Sequence, residues 1–149
     1  MQQYSTGFIF SIAILFLAAC SPLNEFYVNN FSDQPIQISL NLRHSYSDLK
    51  ICFFDKQIPA PSSGDAKKCV AQQTMPTSLE NGMVSFALPA HTSAFLGTSS
   101  MGDLLFKKMI VTSDHQSIEI TDQNYQTHFK VRDSFYGNIA NTFDFGASN

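Results

Sequence analysis

The sequence has no tryptophan, and none of its first 19 residues is Asp, Glu, Lys or Arg. Charge is sparse throughout: nine Lys and Arg against twelve Asp and Glu leave a formal net charge of −3. With no basic stripe or patch, the chain lacks the electrostatic footprint of a nucleic-acid binder. With no acidic run, it lacks a self-repelling solvated tail. Lys67-Lys68 and Lys107-Lys108 are isolated pairs and read as solvated surface. There is no internal repeat or low-complexity tract. Several motifs with a defined chemistry are also missing: a phosphate-binding glycine loop, His-Glu-x-x-His, Cys-x-x-Cys and a calcium loop.

What is present fits one domain. A chain of 149 residues has no room for two independent cores. Its hydrophobic content of 44% is ordinary for a globular protein and argues against several membrane spans. Phenylalanine is the outlying residue, 14 in all. Three (Phe8, Phe10, Phe16) fall in an N-terminal apolar stretch, and the others recur often at every second position. That spacing suits the core of a small sheet protein, where each ring removes a large apolar area from water.

From Phe8 to Ala19 the chain is apolar except for Ser11. As a helix those twelve residues would rise about 18 Å. A bilayer's hydrocarbon core is about 30 Å thick, so the stretch is short for a membrane span and has the length of a signal-peptide apolar region. It ends in Leu17-Ala18-Ala19-Cys20. This tetrapeptide resembles the lipobox of bacterial lipoproteins. The resemblance implies a lipid-modified Cys20 thiol, cleavage before Cys20 and possible acylation of the new α-amine. It covers about the first twenty residues and departs from the usual pattern in lacking Lys or Arg before the apolar region. Two or three acyl chains would make such an anchor stable, each buried methylene contributing about 0.8 kcal/mol. By the same resemblance, Ser21 rather than Asp after the cysteine favours the outer over the inner membrane. The expected organisation is a signal peptide over 1–19, a lipidated cysteine and short tether over 20–24, and one β domain over 25–149.

The remainder reads as short alternating segments between turn residues, the pattern of an antiparallel sheet protein. Ile36, Ile38, Leu40 and Leu42 alternate with Gln37, Ser39, Asn41 and Arg43, giving one dry face and one wet face. Further strands are expected over 25–31, 49–54, 68–74, 84–88, 93–97 and 109–112. Ile118/Ile120, Phe129/Val131 and Phe143/Phe145 mark three more. Ser100-Met101-Gly102-Asp103 resembles a helix start with a carboxylate three residues after the cap, which predicts one short helix over 102–108. Strands at roughly ten-residue spacing give an all-β fold, a small antiparallel β-sandwich with a barrel as second choice.

Cys52 and Cys69 remain once Cys20 is assigned to the anchor. In an exported chain an even remainder reads as a disulfide across the proline- and serine-rich 59–65 loop. It would contribute about 3 kcal/mol through the unfolded state. Free buried thiols are the alternative, and the spacing is far from that of a zinc site.

His44, His91, His115 and His128 are not spaced as metal ligands on a strand or helix. Asp114-His115 with Asp122 and His128 is the one constellation a hairpin could assemble. His91 lies beside Thr92 and Ser93, but no Gly-x-Ser-x-Gly elbow accompanies it. Ser47-Asp48-Leu49-Lys50 matches Ser-x-x-Lys without its partner motifs. No catalytic, cofactor-binding or metal residue is therefore assigned, and no cofactor is expected. The expected role is a membrane-anchored envelope lipoprotein with a non-enzymatic binding or assembly domain, whose partners are the membrane and an envelope protein. Two alternatives are a glycan or small-ligand module using Tyr46, Tyr125 and Tyr136, and a cell-envelope hydrolase.

Overall fold

A computed structural model describes residues 23–43, 51–62, 65, 78–80, 83–100, 102–133 and 138–147. In chain order the elements are β1 (Leu23–Asn30), β2 (Ile36–Leu42), β3 (Cys52–Phe54), β4 (Ser78–Glu80), β5 (Met83–Leu88), β6 (Ser93–Ser100), β7 (Phe106–Thr112), β8 (Ser117–Thr121), α1 (Tyr125–His128), β9 (Phe129–Asp133) and β10 (Ile139–Phe145). They form two five-stranded sheets, which we call A (β3-β6-β1-β10-β9) and B (β4-β5-β2-β7-β8). The sheets pack face to face as a sandwich and do not close into a barrel. The all-β sandwich expected from the sequence is the fold of the protein.

Sheet B follows directly from alternation. Ile36, Ile38 and Leu40 of β2 are buried, as are Val84, Phe86 and Leu88 of β5, while Gln37 and Ala87 are exposed. β2 lies between β5 and β7, with Ile38 opposite both Phe86 and Val111. From sheet A, Phe26, Val28, Ala94, Leu96, Phe129, Phe143 and Phe145 complete the same core. Two edge-to-face aromatic pairs cross between the sheets, Phe26–Phe106 at 5.9 Å and Phe53–Phe86 at 5.5 Å. Such pairs add about 0.5–1.5 kcal/mol each beyond the area they bury. Among the described residues eight phenylalanines are buried in the core clusters, and Phe53 packs against the larger one, as their spacing suggests.

Sheet A is less regular. β1 lies at its centre, antiparallel to β6 and parallel to β10; all other pairings are antiparallel. Phe26 and Val28 face the main core, while Tyr27 faces outward into a second cluster with Cys52, Phe54, Ile58, Phe95 and Ala140. β1 is thus buried on both faces, which explains why Phe26-Tyr27-Val28 is continuously apolar.

Two bulges keep apolar residues inward. In β6 the register passes from Tyr27↔Phe95 to Phe26↔Gly97, leaving Leu96 as the extra residue. Gly97 there has φ 136°, a conformation that favours glycine. In β7 it passes from Asn41↔Lys108 to Leu42↔Phe106, so Lys107 is the extra residue. That shift lets Phe106 and Met109, three positions apart, both face the core.

This second bulge also corrects an expectation. Residues 102–108 do not form the expected helix. Gly102 has φ 88°, and from Phe106 the chain is already strand β7. The Ser100 carbonyl accepts the Asp103 N–H at 3.1 Å in a single turn, and the Ser100 and Asp103 carbonyls also accept from the Asn24 side chain at 3.2 and 3.4 Å. The short helix α1 lies later, at Tyr125–His128. β1 begins at Leu23, two residues before the expected Glu25. The strand expected over 68–74 lies outside the described residues.

Gly146 follows β10 with φ 74°, and a Cβ there would lie 3.1 Å from the Ser32 backbone nitrogen. Gly102 has φ 88° with open space around its Cβ position. Both Gly→Ala changes incur the left-handed cost of about 1–2 kcal/mol. Gly146→Ala adds a backbone clash, so urea denaturation should show it to be clearly the more destabilising; equal losses would contradict the tight packing of Gly146 on Ser32.

Candidate functional site

The two ends of the sandwich differ in chemistry. At the end where β1 starts, Leu23 N–H donates to Asn138 Oδ1 (3.3 Å) and Asn138 Nδ2 donates to Glu25 Oε1 (2.9 Å). The Glu25 carboxylate is buried and also accepts from the Tyr27 hydroxyl at 3.0 Å. The opposite end carries the 31–35 turn, the 89–92 turn and the segment following β3, and there polar side chains converge.

Asn30 organises that end. Its side chain is fully buried, and its Nδ2 donates to the carbonyls of Gln34 (2.8 Å), Pro89 (3.0 Å) and Leu88 (3.2 Å). Its Oδ1 accepts from the Ser32 hydroxyl (2.7 Å) and the Ser32 N–H (3.1 Å). One amide thereby fixes two turns, each of which crosses from one sheet to the other. Beside it, the Ser93 hydroxyl donates to Asn29 Oδ1, and both oxygens accept the Ile58 N–H, at 2.9 and 3.2 Å. Asn29 Nδ2 donates to Asp144, whose carboxylate also pairs with Lys130 at 3.0 Å. Asn29, Asn30 and Ser93 are all buried, so these bonds satisfy groups that would otherwise be costly.

On this scaffold sits His91. It is the one non-glycine residue among the described residues at positive φ, 57°. Its Nε2 lies 2.9 Å from Asp33 Oδ1, and its Nδ1 lies 3.2 Å from Gln57 Nε2. The pair is open to solvent: the His91 side chain is 57% exposed and that of Asp33 93%. Neither neighbouring hydroxyl points to the ring: Thr92 Oγ1 donates to Pro89 O and Ser93 Oγ to Asn29. An open cleft of about 450 Å³ adjoins the network, with Asp55, Lys56, Gln57 and Asp65 among its lining.

The residues singled out by sequence are placed as follows. Cys52 is fully buried in β3 opposite Phe95, while Cys20 and Cys69 lie outside the described residues. The Asp114–His115–Asp122–His128 constellation is not assembled. Asp114 and His115 are exposed, Asp122 pairs with Arg43 at 3.4 Å, and the His128 ring meets Phe143 edge-on at 6.3 Å. Among the described residues no three His, Cys, Asp or Glu side chains gather as a metal site. Tyr125 is a packing residue, half-buried and stacked on Phe129 at 4.9 Å, with its hydroxyl bonded to Asn141. His44, Tyr46, Tyr136 and the 47–50 segment lie outside the described residues. The His91–Asp33 contact is absent from the sequence reading, since its partners are 58 positions apart in two separate turns.

No protein-family model matches the chain, nor does any curated protein or solved structure.

Two outcomes follow from this geometry. Asn30→Asp keeps the shape but turns an acceptor charge toward three carbonyls; it should cost at least about 3 kcal/mol in chemical denaturation. Burial pushes the Tyr125 hydroxyl from its ordinary value of 10 up to about 12. Between those values the unfolded chain has lost a proton that the folded chain keeps, so stability should fall as pH rises through this window. Tyr125→Phe should flatten that fall, and an unchanged slope would show that another group causes it.

Proposed function

We propose that this protein is a lipid-anchored bacterial envelope lipoprotein whose β-sandwich is a non-enzymatic binding or assembly domain. The observation that carries the proposal is Leu17-Ala18-Ala19-Cys20 at the end of a twelve-residue apolar stretch. In this reading Cys20 becomes the N-terminus and bears the lipid, and Ser21 directs the protein to the outer membrane. β1 begins at Leu23, three residues after the anchor. Three residues span at most about 10 Å, so the end of the sandwich carrying Leu23 and Asn138 rests close to the membrane surface. The opposite end, with Asn30 and His91, then faces away from the bilayer toward a partner.

The domain's chemistry supports binding over catalysis. Its converging polar groups are committed to holding turns in place, and rigid loops on a sheet scaffold are a common form of recognition surface. Cys52 and Cys69 complete the reading as a disulfide formed after export. Cys52 is buried in the outer cluster of sheet A, where a bond to Cys69 would tie the connection between β3 and β4 to that sheet.

Mass spectrometry of the mature N-terminus from membranes should find a lipid-modified Cys20. Cys20→Ser should abolish the modification and release the protein from the membrane fraction. A soluble, unmodified wild-type chain would overturn the proposal. Non-reducing peptide mapping should recover a Cys52–Cys69 linkage whose loss costs about 3 kcal/mol.

A further inference from the structure

The segment after β3 is fastened to sheet A at two adjacent residues. Ile58 buries its side chain in the outer cluster and donates its N–H to Asn29 and Ser93. Gln57 uses one nitrogen twice, donating to the Asn30 carbonyl at 3.3 Å and facing His91 Nδ1 at 3.2 Å.

The carbonyl decides the protonation of the ring. A backbone oxygen only accepts, so Asn30 requires the nitrogen of the Gln57 amide, not its oxygen, on this side. His91 Nδ1 must then be the acceptor, which places the ring hydrogen on Nε2. That hydrogen points at Asp33 Oδ1, 2.9 Å away. Neutral His91 in this tautomer satisfies Asp33 and Gln57 together.

A cationic ring cannot do so. Protonation puts a second N–H on Nδ1, directed at the N–H of Gln57. On the other side, the bond to Asp33 becomes charge-assisted and holds the ring where it is. Gln57 is the group that must yield. Rotating its amide would offer the ring an oxygen, but would lose the bond to Asn30 O and set two oxygens against each other. The charged group contacting the ring among the described residues is Asp33, from the 31–35 turn. Asp55 and Lys56 lie next to Gln57 in sequence, and the ring's own turn, 89–92, brings no other charge.

We propose that His91 is a proton-operated latch: the neutral ring holds the segment carrying Gln57 and Ile58 onto sheet A, and the cationic ring releases it. Release would loosen the cover over Tyr27, Cys52 and Phe95, the cluster that Ile58 closes. Asp33 accepts from Nε2 in both states and keeps the ring aligned. The positive φ of His91 supports the assignment, since a histidine held in a conformation suited to glycine signals that its side chain is required there. Histidine is also the side chain that changes charge near neutral pH.

Nitrogen-15 NMR on the intact protein in detergent micelles tests this directly. In its neutral form His91 should be the tautomer with its proton on Nε2. As the ring titrates, Ile58 amide exchange, corrected for its intrinsic rate, should rise about three- to tenfold relative to Val28, the effect of losing one exposed hydrogen bond. Gln57→Glu should reverse the sign, because a carboxylate accepts from the cationic ring. A neutral ring protonated on Nδ1, or Ile58 protection that stays level through the His91 titration, would overturn the proposal. Both of those readings come from the wild-type protein and do not depend on the variant folding.

Discussion

The placement of β1 is the constraint on which the rest of the sandwich depends. It is central in sheet A, covered on both faces, and paired on one side with β10, a strand 115 positions later at matched residues. Sheet A therefore cannot be complete until both strands are available, and its closure entropy is large. Burial on both faces also requires a cover outside the sandwich proper, which the segment after β3 supplies through Ile58. The polar network at the far end follows from the same arrangement. Where β1 runs out between two covered faces, Asn29 and Asn30 remain buried, and their amides must find partners in neighbouring turns.

Much of the architecture was legible where one face is wet. β2 and β5 alternate strictly because sheet B has solvent on its outer side, and the sequence records that asymmetry residue by residue. Where the geometry breaks period two, the pattern misleads. The bulge at Lys107 separates the inward residues Phe106 and Met109 by three, so no alternation marks the start of β7, and the apparent cap at Ser100 stands uncontested. Helix α1, only four residues long with no side-chain cap, is too short to leave a periodic trace. Its Tyr125, a candidate ligand-binding ring by sequence, packs on Phe26 and Phe129.

The candidate site was legible only in its parts. His91 and Asp33 each stood in recognisable turns, but nothing local to either indicates that β1 and β6 run side by side and bring the two turns together. Antiparallel pairing of Asn29 with Ser93 does that. The positive φ of His91 likewise has no signature in the residues around it. Tertiary contact, and not motif, made this end of the molecule distinctive.

The parallel match between β1 and β10 has a mechanical side. A domain tethered just before β1 and gripped at its far end would be pulled along the strands, with β1 and β10 drawn past each other lengthwise. The ladder running from Asn24↔Ile139 to Asn30↔Phe145 would then carry load across all its bonds at once, instead of opening one bond at a time from an end. The same pairing that delays assembly would make the finished domain resist traction, if the chain is held by the proposed short stalk at Cys20.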